Sequence, residues 1–150
     1  MPRLSVLNHP VHPILQPIPA SMLPASTAFD VLARLGGDGE GLSEAAHYSL
    51  IFGLVGAAGA ATTGVLDYRE IKNRPVRRTA LLHGLTNAAL TGSYLLSLRR
   101  RKGHKADGIA LALSGLGAAL LGLSGYLGGK LVYEHGVRVG EDHDGIPGAA

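Results

Sequence analysis

The sequence predicts an all-α protein: an integral membrane four-helix bundle with both termini on the same face. Three observations carry this. Four apolar segments of about 20 residues recur along the 150-residue chain, separated by short polar stretches, and about 20 apolar residues suffice for one helix to cross a bilayer. Charged residues are 17% of the chain, below the roughly 25% of a soluble domain. The 22 glycines fall mostly inside the apolar runs, where each would weaken a soluble helix. In a membrane helix the same glycines let neighbouring backbones approach.

The first segment, about 14–35, is the most polar. It carries Pro17, Pro19, Pro24, Asp30 and Arg34. Proline in a membrane helix is tolerated where neighbours satisfy the freed carbonyls, so a kinked helix packed inside the bundle is expected, with a re-entrant or interfacial segment as the alternative. The second segment, about 45–68, has His47 near its start and Asp67 at its end. The third, about 79–98, has His83 as its only ionisable group. The fourth is predicted over about 108–133, and Gly108 to Gly129 holds no ionisable side chain at all. Residues 36–44 read as a turn with Ser43 as the helix N-cap. Short loops at 69–78 and 99–107 make neighbouring helices antiparallel. Residues 1–139 thus form one transmembrane domain, and 140–150 a mobile polar tail.

Six prolines within the first 24 residues, and no basic stretch leading into a smooth apolar core, argue against a signal peptide. The absence of cysteine excludes disulfides, iron–sulfur clusters and covalently attached haem. The formal charge of +3 lies in two basic clusters between apolar runs, which suits lipid headgroups rather than nucleic acid. Arg99-Arg100-Arg101-Lys102 is most simply a headgroup anchor, and Tyr48, Tyr68 and Tyr133 fall where an interfacial aromatic belt would lie. Both faces carry comparable numbers of Lys and Arg, so the positive-inside rule does not orient the chain. No soluble-type repeat stands out. Small residues at helical spacing (Gly56, Ala60 and Gly64; Ala88 and Gly92; Gly125 and Gly129) fit packing within the bundle or, alternatively, a homo-oligomer interface. No phosphate-binding loop and no nucleophile with a convincing base is present, so no catalytic activity is expected.

Four antiparallel spans bring distant polar residues to one face. His9 and His12 precede the first helix, Asp67 ends the second, and His83 lies about one turn inside the third. Glu134 and His135 follow the fourth, and Asn87 lies one turn deeper than His83. Ionisable groups at membrane depth are costly and mark function by default. Neutral imidazole is the usual axial ligand of b-type haem. His83 with His12, or His83 with His135, could therefore hold a haem, with Asp67 or Asn87 orienting a ligand ring through its second nitrogen. A mononuclear metal or a purely structural polar cluster are the alternatives. His47 and His104, on the opposite face without partners, and His143 in the tail read as incidental.

Several blocks resemble a known family. Asn8-His9-Pro10-Val11-His12-Pro13-Ile14-Leu15 is similar to the N-terminal HPxHP signature of the DUF2231 family of predicted bacterial membrane proteins. Gly64-Val65-Leu66-Asp67-Tyr68 resembles its GLLDW-like helix end, and Arg78 to Asn87 its third-helix motif. Ser124-Gly125-Tyr126 through Tyr133-Glu134-His135-Gly136 resembles the closing motif. The likeness runs from about 8 to 139 and is carried mainly by the first and last blocks. It implies a four-helix membrane domain whose members are sometimes joined to Rieske or cytochrome c modules. The family residues that map here are His9, His12, Asp67, His83, Asn87 and His135. One departure stands at the start: relatives often continue as VHFP, whereas this chain has Gln16-Pro17-Ile18-Pro19, with proline in place of the third histidine.

The leading functional expectation is a redox-linked subunit of the bacterial inner membrane, binding haem b near one face and exchanging electrons with quinone or a docked redox partner. The alternative is a non-catalytic accessory subunit of a larger membrane complex, its His/Asp cluster structural. A transporter ranks third, because four short helices leave little room for alternating access unless the protein oligomerises.

Overall fold

Prolines, glycines and acidic caps decide where the helices begin and end. The computed structural model describes residues 5–6 and 9–137; the tail expected at 140–150 lies outside them. A two-residue hairpin, β1 (Ser5–Val6) with β2 (His9–Pro10), pairs Val6 with His9 and leads into α1 (Val11–Leu15). Helix α2 (Pro17–Arg34) starts on proline at N1 and carries Pro24 inside it; at N1 the missing N–H would have been unpaired anyway. After α2, Gly36 adopts φ +97°, a left-handed conformation that favours glycine.

Helix α3 (Gly39–Glu70) is 32 residues long. Its N-cap is Asp38 rather than Ser43: the Asp38 carboxylate accepts from Glu40 N and Gly41 N, and an acidic cap also suits the positive end of the helix. Ser43 lies inside the first turns, where its hydroxyl bonds Gly39 O. Helix α4 (Arg74–Arg100) has proline in its first turn. Helix α5 (Gly108–Gly129) is capped by Asp107 through Ala110 N and runs into a π-helical turn, Lys130–Glu134.

The four long helices form an all-α bundle with alternating directions, so both ends of the described chain lie on one face. Helices α3 and α5 with its π turn are long and apolar enough to cross a membrane. Buried polar side chains occur in every long helix: Ser26 and Asp30 in α2, Ser43 and Thr63 in α3, Ser93 and Ser97 in α4, Ser114 and Ser124 in α5. The closest packing is within two hairpins, α2 on α3 and α4 on α5; α3–α4 and α2–α5 contacts are sparser. Leu23, Leu50, Leu54, Leu90 and Tyr94 form the core, with Leu98, Leu120 and Leu121 against it.

The two hairpins are variations of one unit. The buried residues of α2 are Pro19, Leu23, Ser26 and Asp30. The positions 71 residues further on are Leu90, Tyr94, Ser97 and Arg101, all buried (Asp30 and Arg101 being that distance apart). Between α3 and α5 the spacing is 64, from Gly53 to Gly117: Ala46, Leu50, Gly53 and Ala60 correspond to Ala110, Ser114, Gly117 and Ser124, and all eight are buried. Packing repeats as well. A Cβ on Gly53 would lie 2.6 Å from Leu23, and one on Gly117 would lie 2.6 Å from Tyr94. Because α2 and α4 run the same way, an approximate two-fold axis along the bundle relates the halves, the parallel-repeat arrangement known in membrane proteins.

The small-residue stripes accordingly divide. Gly56 and Gly64 lie against Ile18 and His12, inside the first hairpin, whereas Gly84, Gly92, Gly122 and Gly125 have nothing near a would-be Cβ.

Candidate functional site

At the end that holds both ends of the described chain, the repeat sets two imidazoles in matching surroundings. His12 extends from α1 to α3. Its Nδ1 lies 2.8 Å from Ala60 O and 3.1 Å from Thr63 Oγ1. A carbonyl can only accept, so Nδ1 carries the proton and Nε2 the lone pair. That lone pair accepts from the Gln16 amide at 3.1 Å. The ring fits because Gly64 lacks a side chain: a Cβ there would stand 3.1 Å from His12 Cε1.

His83, on α4, repeats the pattern against α5. Nδ1 donates to Ser124 O at 3.0 Å, with Ser124 Oγ at 3.2 Å. Nε2 accepts from the Asn87 amide at 3.1 Å, and the same amide also donates to His83 O at 2.9 Å. Gly128 makes the room, since a Cβ there would lie 3.2 Å from His83 Cε1. His12 and His83 are 71 positions apart, as are Gln16 and Asn87; Ala60 and Ser124 are 64 apart, as are Gly64 and Gly128. Both rings are half-buried.

Of the residues the sequence marks, His12, His83 and Asn87 therefore belong to these two constellations. Asp67, half-buried, stands near the end of α3 at the same face, and His135 follows the π turn. His9 lies in β2, and its side chain is outside the described residues, as is His143. The amide on His83 holds Nε2, whereas an orienting partner usually takes the nitrogen that the metal leaves free. Gln16, Thr63 and Ser124 complete the constellations without having been marked. The readable signal was the shared i,i+4 spacing of His12–Gln16 and His83–Asn87.

The opposite end is held differently. Asp30 and Arg101, both buried, form a two-pronged ion pair, and Arg101 Nη1 also donates to His104 O at 3.1 Å. His47 and His104, expected to be partnerless, have ring centroids 4.8 Å apart, with Tyr48 5.6 Å from each. Two hydroxyl pairs lie between the helices. Ser97 Oγ and Ser114 Oγ are 2.8 Å apart, and Thr27 Oγ1 bonds Tyr94 Oη at 3.1 Å.

Among the described residues no group of three or more His, Cys, Asp or Glu side chains could hold a metal ion. Axial haem ligation needs only two imidazoles.

Comparison with known families gives one finding: the model of a family described as predicted membrane protein, DUF2231, matches residues 8–141. No curated protein and no solved structure matches.

Proposed function

The chain belongs to the DUF2231 family of predicted membrane proteins, and on that premise we propose that it is a multi-pass, redox-linked subunit binding one b-type haem between His12 and His83. The observation that carries this reading is the matched pair of neutral imidazoles. In each, Nδ1–H is anchored on a backbone carbonyl of the neighbouring helix, leaving Nε2 as the nitrogen with a lone pair. That tautomer and that anchor are what an axial ligand uses. Gln16 and Asn87 supply side-chain amides that satisfy Nε2 and can turn away from it, while Gly64 and Gly128 let the rings pack against the helix backbone.

In this reading the protein's work is positional. The carbonyls of Ala60 and Ser124 hold the rings against α3 and α5, and the rigid hairpins fix the rings relative to one another. A bound haem would supply one-electron transfer to or from quinone or a redox protein docked on that face. The expected home is the bacterial inner membrane.

The test is an absorption spectrum of detergent-purified protein, expressed with ample haem, oxidised and then dithionite-reduced. Sharp α and β bands are expected, lost in His12→Ala and in His83→Ala alike, since the positions are equivalent. A featureless spectrum from folded protein overturns the reading. It would favour a non-catalytic accessory subunit, for which one observation already speaks: every ring nitrogen of His12 and His83 has a partner inside its own hairpin. In that case each histidine is a staple between helices, and its loss lowers stability.

A further inference from the structure

At the end remote from His12 and His83, the bundle brings one cation from each hairpin to the same cavity. Arg34 closes α2 and Lys105 stands in the α4–α5 loop, 71 residues apart (34 to 105). That is the spacing of Asp30 and Arg101, with Arg34 one turn beyond Asp30 on α2 and Lys105 past the end of α4. Arg34 and Lys105 line one cavity of about 210 Å³, with Gly39 and Ser43 of α3 and with Asp30. The loops thus set one cation from each hairpin around a single concavity near the approximate two-fold axis.

The charges decide what it can hold. Asp30 and Arg101 are mutually bonded and buried, so their formal charges of −1 and +1 cancel. The acidic side chains nearest in sequence to the lining are Asp38, Glu40, Glu44 and Asp107: Asp38 accepts from Glu40 N and Gly41 N, Asp107 accepts from Ala110 N and Arg100, and Glu40 and Glu44 are exposed on the first turns of α3. Arg34 and Lys105 are both exposed. A guanidinium has five N–H donors, and the Arg34 bond to Ala106 O at 3.1 Å uses one of them. Arginine and lysine from two elements over one hollow match the oxygens of a phosphate.

We propose that this cavity is a binding site for a phosphate-bearing anion, the chemistry shared by the headgroup of an anionic phospholipid and free inorganic phosphate. The site stands apart from the haem reading. Its cations come one from each hairpin, so one ligand would bridge the halves where the ion pair already joins them.

The test uses the full chain in a neutral detergent, titrated separately with phosphatidylglycerol, phosphatidylcholine and inorganic phosphate. Bound ligand is read by native mass spectrometry and protection by the thermal midpoint. Phosphatidylglycerol should bind about tenfold or more tightly than phosphatidylcholine. The double variant Arg34→Gln/Lys105→Gln should lose that preference, while Arg99→Gln/Lys102→Gln, exposed on the same loop region, should keep it. Equal protection by inorganic phosphate, abolished by the same double variant, identifies the free ion as the ligand. Equal binding of the two lipids without phosphate protection overturns the site. So does an equal loss in both double variants, which would reduce the effect to diffuse surface charge.

Discussion

The two hairpins share their scaffold and differ where they meet. In both, a small residue on the second helix admits a large one from the first: Gly53 against Leu23, Gly117 against Tyr94. Both seat an imidazole over a glycine and anchor its Nδ1 on a carbonyl. Ser26 and Ser97 are both buried, as are Ala46 and Ala110. These positions pack inside one hairpin, so the same solution serves twice, and Tyr94 adds a hydroxyl bond to Thr27 of the other hairpin. Asp30 and Arg101 are different. They are equivalent positions that touch each other, and identical residues there would set two like charges together in a buried place. A position that meets its own counterpart must be complementary to it, so the halves diverge at that point.

The largest effect should come from separating that pair. Asp30→Ala or Arg101→Ala leaves one buried charge unpaired, a change that costs about 3–5 kcal/mol in buried pairs, read as a lower thermal or denaturant midpoint in detergent. The double exchange Asp30→Arg/Arg101→Asp tests the equivalence itself. If the hairpins are interchangeable at this depth, the exchange recovers most of the loss. A double variant as unstable as the singles would show that the surroundings, such as His104 O on Arg101, fix which partner each half must carry.

A smaller effect separates the inner faces of the hairpins from their outer ones. A Cβ at Gly53 or Gly117 would lie 2.6 Å from a packed side chain, and at Gly53 it would also lie 3.1 Å from Leu23 N. Gly53→Ala and Gly117→Ala should each destabilise by about 1–3 kcal/mol, the usual cost of overpacking. Gly122→Ala meets nothing within 4 Å and should be neutral or slightly stabilising, given the better helix propensity of alanine. Similar losses at all three would mean that the outer face of α5 is also packed, against a partner.

The fold class was legible because apolar length and short loops leave few arrangements for four helices. The helix ends were less so. The second helix was expected over about 45–68, but α3 starts at Gly39 and continues through Arg69 and Glu70, polar residues that hydropathy leaves out and that a helix can keep beyond its apolar stretch. Ser43 was a plausible cap by type, yet Asp38, five residues earlier, holds two N–H groups. The repeat was hidden because its matches are single buried positions rather than a contiguous motif, and its spacing changes from 71 to 64 across the loops. In the site, His12, His83 and Asn87 stood out as polar groups in or beside apolar segments. Gln16 was obscured by the flanking prolines, and Thr63 and Ser124 looked like any helix hydroxyl until the fold aimed them at the rings.

The smallest effect concerns the turns, where the hairpins differ in length and capping. Asp38 caps α3 through bonds of 3.3 and 3.2 Å. Asp107 caps α5 more tightly, accepting from Ala110 N at 2.7 Å and from Arg100 at 2.7 Å. The Ala110 N–H first, and Arg100 second, hold the Asp107 carboxyl below its ordinary range. A carboxylate depressed by folding stabilises the folded state above its unfolded value of about 3.9, and that contribution fades as pH falls through the lower folded value. Asp107→Asn should therefore loosen the first turn of α5 at neutral pH, read as faster amide exchange at Ala110 and Leu111 relative to wild type. The difference should shrink below about pH 4, as the wild-type carboxyl itself becomes neutral. Because the group is solvent-accessible, the change should be modest and smaller still in high salt. Asp38→Asn, without an arginine on its carboxylate, provides the contrast. An equal response at both caps would mean that the backbone bonds alone, and not Arg100, distinguish the second turn from the first.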